Sequence, residues 1–390
     1  MADVTRAARV LVRCVHGLEW LCADEIGAAL PAAGRLELAR REITLDLPVL
    51  DPALLALRTA DDAFVEVGQV GGAGTTKDSV PGLARAIAAL PWADRVADVR
   101  RLRTVPAAPL VDVVASIEGR RSYNRFAVEN AVGALLALLV GGTYLRRTAT
   151  GRDEGTPDLA VRVFVRGDTA VAALRVGAAP LHRRAYKQDT GPGTLHPPAA
   201  AALARLAGPV SRVLDPFGGD GTIAIEAALA HPGALVRASD ADPARLRNAE
   251  ANAERAGVTV EFSRAEAAAL AGRDAGAAAD AVVTNPPWNL AVDGAGSVRE
   301  SLGPFWRRVP ELLAPGGRLV ALTEAELDVP DALRHAGFAV GLATRIRIAG
   351  RVAHVVVAAP PGHPAPDLPA GAARWRDRAV ATGVTTRSGF

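Results

Sequence analysis

Between residues 212 and 359 the chain repeats one pattern, a short β-branched run followed by a longer stretch with helical spacing. SRVLDPF, ALVRASD, VTVEFSRA, DAVVTN and GRLVALT read as strands. TIAIEAALA, PARLRNAEANAERAG, FWRRVPELLA and VPDALRHAG read as the helices that alternate with them. Parallel neighbours cannot be joined by a tight turn, so the alternation predicts a doubly wound α/β sheet. FAVGLATRI and RVAHVVVAA close the series with only the turn Ala349-Gly350 between them. That turn is too short for a crossover helix, so the pair must be antiparallel.

Upstream the spacing is different. ARVLVRCV, REITLDL and AFVEVGQV read as strands around a helix over 18–30 and a short helix over 52–58, before a loop from Gly71 to Gly74. PLVDVVASI, a helix from Asn130 to Leu139, and a hairpin around Gly167-Asp168 form a second small α+β unit. The segment 181-LHRRAYKQDTGPGTLHPP-198 is basic and rich in Gly and Pro, which marks a boundary. The 390 residues therefore divide into units over 1–75, 76–187 and 188–360, with a Pro/Gly-rich and then Arg-rich tail over 361–390.

The longest apolar run, 131-AVGALLALLV-140, is too short to span a bilayer. No secretory leader is read, and Cys14 and Cys22 are too few for a disulfide framework or a zinc site. They are expected as buried thiols in a cytoplasmic protein, and no metal site is expected. The net charge is only +3, but it is unevenly spread. Residues 95–187 carry 16 basic and 8 acidic side chains, net +8, whereas 1–94 carry 9 and 13, net −4. Nearly all the cations are arginines, since only Lys77 and Lys187 are lysines. An Arg-rich block beside near-neutral ones suits phosphate recognition, so 95–187 and the linker are the expected nucleic-acid contact. Arg121, Arg125, Arg146, Arg147, Arg183 and Arg184 are the candidate phosphate ligands.

Two stretches carry chemistry. The first strand of the α/β half runs into 213-VLDPFGGDGTIAIEAA-228, where Gly218, Gly219 and Gly221 make a tight turn into a helix. Such a turn lets a ligand approach the backbone and its free N–H donors. The pattern is neither a dinucleotide fingerprint nor a P-loop. Asp215 and Asp220 would repel phosphate and suit a cationic ligand, as S-adenosylmethionine is. Asp240, at the end of the next strand, is placed for a ribose diol, while Asp242 before Pro243 reads as a helix cap. Glu266 follows the third strand, in reach of an adenine amino group. The fourth strand ends in Asn285-Pro286-Pro287-Trp288. Two prolines end the ladder and stiffen the chain. The Asn285 side-chain oxygen and the Pro286 carbonyl can accept from an exocyclic NH2, and Trp288 offers a face on which a flipped base stacks.

These residues resemble class I S-adenosylmethionine-dependent amino-methyltransferases, and within them the THUMP-domain RNA guanine-N2 methyltransferases. That family carries D-P-F/M-C-G-S-G-T and N-P-P-Y/F. This chain has Asp215-Pro216-Phe217-Gly218-Gly219-Asp220-Gly221-Thr222 and Asn285-Pro286-Pro287-Trp288. HGLEWLCADEI (16–26), LALRTADDAF (55–64) and LHRRAYK (181–187) extend the likeness over residues 10–355. The resemblance implies a Rossmann-like domain with a seven-stranded doubly wound sheet, its last strand antiparallel, preceded by a ferredoxin-like domain (1–75) and a THUMP domain (76–187). It implies S-adenosylmethionine as cofactor, held by Thr194, His196, Asp215, Phe217, Gly218, Gly219, Asp220, Thr222, Asp240, Glu266, Ala267 and Asn285. It implies tRNA as partner and Asn285 to Trp288 as the catalytic corner. Gly218 stands for the usual Cys, Asp220 for the usual Ser, and Trp288 for Tyr or Phe. Ribosomal RNA, adenine N6, and a degenerate RNA-binding scaffold remain as alternatives.

Overall fold

The computed structural model describes residues 7–270, 278–288 and 302–390. The N-terminal half contains β1 (Ala8–Cys14), α1 (Glu19–Ala29), β2 (Glu37–Ala39), β3 (Glu42–Leu47) and β4 (Ala60–Val70). It continues with α2 (Val80–Ala88), α3 (Trp92–Arg100), β5 (Leu110–Ile117), α4 (Arg125–Val140), β6 (Thr143–Tyr144), β7 (Leu159–Arg166) and β8 (Thr169–Arg175). All eight strands form one sheet in the order β2-β3-β1-β4-β8-β7-β5-β6. The 75/76 boundary follows β4, and β4 pairs with β8 from Phe64 to Val70. The 1–75 and 76–187 stretches therefore share a continuous sheet.

The second half contains α5 (Pro197–Leu206), β9 (Arg212–Asp215), α6 (Thr222–Ala230), β10 (Leu235–Asp240), α7 (Pro243–Ala256) and β11 (Glu261–Arg264). After it come β12 (Ala279–Thr284), α8 (Gly303–Leu312), β13 (Leu313–Glu324), α9 (Val329–His335), β14 (Ala339–Ile348), β15 (Arg351–Ala359) and α10 (Ala370–Ala381). Seven strands order as β11-β10-β9-β12-β13-β15-β14. The first five are parallel, and β15 runs antiparallel to both neighbours.

Local chemistry sets the helix ends. Asn124 accepts from the Ala127 N–H at 3.1 Å and starts α4 ahead of the expected Asn130, and Gly141 ends it at φ 65°. Asp242 caps α7 through the Ala244 N–H at 2.7 Å, followed by Pro243 in the first turn. Cys14 and Cys22 are both free and buried.

The 361–390 segment is not a loose tail. α10 packs on α1 and buries Ala372, Trp375 and Ala379. The chain end then stacks Phe390 on His16, ring centres 4.3 Å apart, with the Arg347 guanidinium 5.3 Å from the Phe390 ring. The Arg347 N–H donates to the His16 carbonyl at 2.9 Å. Beside it Gly17 has φ +94°, and a Cβ there would lie 2.5 Å from the Arg345 carbonyl oxygen. Thus β1, the β14–β15 hairpin and the C-terminus meet at one joint.

Candidate active site

A cavity of about 1780 Å³ opens where the two sheets face each other, at the C-terminal ends of β9, β10 and β12. Open parallel sheets bind ligands at that end. Every cofactor-binding and catalytic candidate of the sequence reading lines it, as do Arg183 and Arg184, whereas Arg121, Arg125, Arg146 and Arg147 do not.

The turn after β9 is organised by two acids. Asp215 is completely buried. Its Oδ1 accepts from the Phe217 N–H at 3.1 Å and the Thr284 hydroxyl at 3.0 Å. Burial, with Asp240 nearby, pushes its carboxyl up to about 7. Asp240 Oδ2 accepts from the Gly219 N–H at 2.8 Å and its Oδ1 from the Asp242 N–H at 2.9 Å. Gly218 donates to the Ser239 carbonyl at 2.8 Å, and a Cβ on it would lie 3.1 Å from Ala238 Cβ. Gly221, at φ +82°, delivers the chain into α6 and Thr222.

Asp220 does something the sequence reading did not foresee. Its side chain is buried and fully engaged, accepting from the Gly191 N–H at 2.8 Å and Asn248 Nδ2 at 3.1 Å and pairing with Arg245 Nε at 3.2 Å. Its charge is neutralised by Arg245 and ties the linker to α7, so it does not add an open anion to the turn. No local sequence signal connects Asp220 with Arg245.

The linker lies against this sheet. Glu226, fully buried on α6, accepts from Arg58 Nε at 2.6 Å, Arg184 Nε at 3.0 Å and the Tyr186 hydroxyl at 2.8 Å. His196 precedes α5, and its Nε2 lies 2.7 Å from Asp61 Oδ1 of β4. Lys187 donates to the Leu195 carbonyl, and burial lowers its pKa to about 8. Of the six candidate phosphate ligands, three have internal work. Arg184 holds Glu226, Arg147 grips Asp112 at 2.8 and 2.7 Å, and Arg121 donates to the Gly74 and Gly167 carbonyls. Arg125, Arg146 and Arg183 are exposed.

At the end of β12, Pro286 is buried and Asn285 and Trp288 are half-buried. The Arg351 guanidinium lies 5.1 Å from the Trp288 ring centre and is held by Glu324. Glu266 is exposed and Ala267 buried on the opposite rim. Asn285 Oδ1, Asp215 Oδ2, Thr194 Oγ1 and Trp288 Nε1 are all buried and have no hydrogen-bond partner among the described residues. Gathered on the lining of one cavity, these four atoms are available to a ligand.

Residues 184–353 match the family model described as RMKL-like, methyltransferase domain. A tRNA (guanine(6)-N2)-methyltransferase of Thermus thermophilus is 32% identical over 331 residues, 82% of this chain and 92% of that one. The crystal structure of TrmN from Thermus thermophilus superposes with a TM-score of 0.69 at 30% identity, covering 90% of this chain and 99% of that chain. A structure from Clostridium difficile 630 described as a possible methylase shares the fold, with a TM-score of 0.67 at 18% identity over 93% of this chain and 100% of that chain. The glycine turn and the Asn-Pro-Pro-Trp corner lie inside the matched region, and the chain belongs to this family of methyltransferases.

Proposed function

We propose that the chain methylates N2 of a guanine in tRNA, with S-adenosylmethionine as methyl donor. The observation that carries this reading is the orphaned Asn285 Oδ1, which shares one cavity with the glycine turn and Asp240. The activity printed for the Thermus thermophilus relative supports the choice of amine. S-adenosylmethionine, when bound, supplies an electrophilic methyl group on a sulfonium.

The chain's own residues do the rest. The glycine turn offers backbone close to the cofactor, Asp240 accepts from ribose hydroxyls, and Glu266 from the adenine amino group. Asp215 Oδ2 accepts from the ammonium group, and Thr194 closes the linker side. Asn285 Oδ1 and the Pro286 carbonyl accept the two N–H bonds of the guanine amine, which leaves its lone pair free. Trp288 stacks on the base. After transfer the excess proton passes to Asn285 Oδ1 or to water. Catalysis is by orientation and electrostatics. The basic 95–187 stretch, with the linker, holds the RNA.

Nucleoside mass spectrometry of unmodified tRNA after incubation tests the reading. Wild type should yield N2-methylguanosine and Asn285→Ala roughly 100-fold less. N6-methyladenosine, or product from ribosomal RNA alone, would reassign the substrate.

A further inference from the structure

The sheet of the N-terminal half has two unlike faces. On β7, Leu159, Val161, Val163 and Val165 belong to the helix-covered core, and Arg162, Phe164 and Arg166 take the alternate positions. The same alternation puts Arg9, Leu11 and Arg13 of β1, Asp62 and Phe64 of β4, and Ala173 and Arg175 of β8 on that second face. Arg13, Phe64, Ser116, Arg162 and Phe164 line the cavity that also holds Asp215 and Asn285.

The arginines of this face are not equivalent. Arg9 reaches Glu37 at 3.3 Å, Arg13 Glu42 at 2.8 Å, and Arg166 Glu118 at 3.2 Å. Arg175 Nε meets both oxygens of Asp62, at 3.1 and 2.9 Å. Among the described residues, no carboxylate lies within ion-pair distance of Arg162. Its guanidinium sits 5.8 Å from the Phe64 ring centre. Burial, with Arg175 nearby, lowers its pKa against the pull of Asp62, whose carboxylate is taken by Arg175. A half-buried cation beside a second cation is stabilised when an anion arrives, and guanidinium binds phosphate bidentately. The cavity, at about 1780 Å³, exceeds the roughly 300–1,000 Å³ of small-ligand pockets and has room for a length of chain.

We propose that Arg162 docks a backbone phosphate of the RNA whose base enters the Asn285–Trp288 corner, so that the strand crosses the open face of the N-terminal sheet. The inference rests on the reading of the substrate as RNA. Arg162 acts by holding the strand and touches no reacting atom.

The test is tRNA binding by wild type, Arg162→Gln, Arg162→Lys and Arg166→Gln over a salt series of about 50–200 mM, with S-adenosylmethionine affinity measured by calorimetry on each. Arg162→Gln should weaken tRNA about 10-fold and lower the slope of log K against log salt by about 0.7–0.9, one phosphate contact. Arg162→Lys should keep the slope. Arg166→Gln should change little, because Glu118 already neutralises that charge. S-adenosylmethionine affinity should stay at wild type in all three, which also reports an intact fold. Wild-type tRNA affinity and slope in Arg162→Gln would overturn the proposal, and so would equal losses in Arg166→Gln or a parallel loss of S-adenosylmethionine. If wild type binds tRNA without methylating it, the functional reading falls and the binding comparison still decides this one.

Discussion

The Thr284 hydroxyl donates to Asp215 Oδ1 at 3.0 Å and so ties the end of β12 to the end of β9. The bond holds the donor-side acid and the Asn285 corner in fixed relation, because Asn285 follows Thr284 directly. Thr284→Val keeps the shape and removes the bond. It should lower kcat several-fold with little change in the melting temperature, as steady-state kinetics beside a thermal melt would reveal.

Asp215 gives the site a pH signature. Its carboxyl titrates near 7, and a cationic ammonium needs the ionised form. S-adenosylmethionine affinity should therefore weaken as pH falls below 7, approaching about tenfold per unit. The stability sign is opposite. The folded value lies above the unfolded one of about 3.9, so the group's stabilisation is full below that value and is lost as pH rises through 7. Asp215→Asn apoprotein should melt higher than wild type at pH 8, yet bind cofactor weakly and without pH dependence. Calorimetry across pH 5.5–7.5 decides; a flat wild-type profile sinks the assignment.

Trp288 and Arg351 both line the cavity, with the guanidinium 5.1 Å from the ring centre. Trp288→Ala should raise KM for RNA roughly 10- to 100-fold, the loss of one stacking contact, with cofactor affinity unchanged. Trp288→Phe should recover most of it. An unchanged KM in the alanine variant would remove Trp288 from base binding.

Glu226 gathers Arg58, Arg184 and Tyr186 in a site with no exposure of its own. Glu226→Gln takes the anion from the half-buried Arg58 and Arg184 guanidinium groups and should cost about 3 kcal/mol, the lower end for a broken buried pair. Chemical denaturation measures that cost. The loosened linker should also raise the cofactor Kd, since Thr194 and His196 belong to it.

Gly17 is held by geometry. Its φ is +94° and any Cβ would press on the Arg345 carbonyl. Gly17→Ala should destabilise by roughly 1–3 kcal/mol, visible as a lower Tm, because both the backbone region and the space forbid it.

What the sequence revealed of this site was local. The glycine turn, Asp240 and the Asn285–Trp288 corner are each written in one short stretch at a strand end, and the alternation of strands and helices fixes where those ends lie. The partners that secure them are remote. Asp61 meets His196, Arg245 meets Asp220, and Arg58 meets Glu226 across 168 positions of chain. No periodicity encodes such pairs. α2 and α3 went unread because Pro81 and Pro91 look like breakers, whereas here they stand at helix starts. The Arg-rich end looked like a solvated tail because its apolar face, Ala372, Trp375 and Ala379, is thin and finds its complement only on α1.

The joint between Phe390 and His16 also orders events in time. A ribosome completes β1 and α1 hundreds of residues before it makes α10, so one flank of the first helix has no permanent cover until α10 has been made. The first helix takes its last packing partner only after the strands of both sheets have been made.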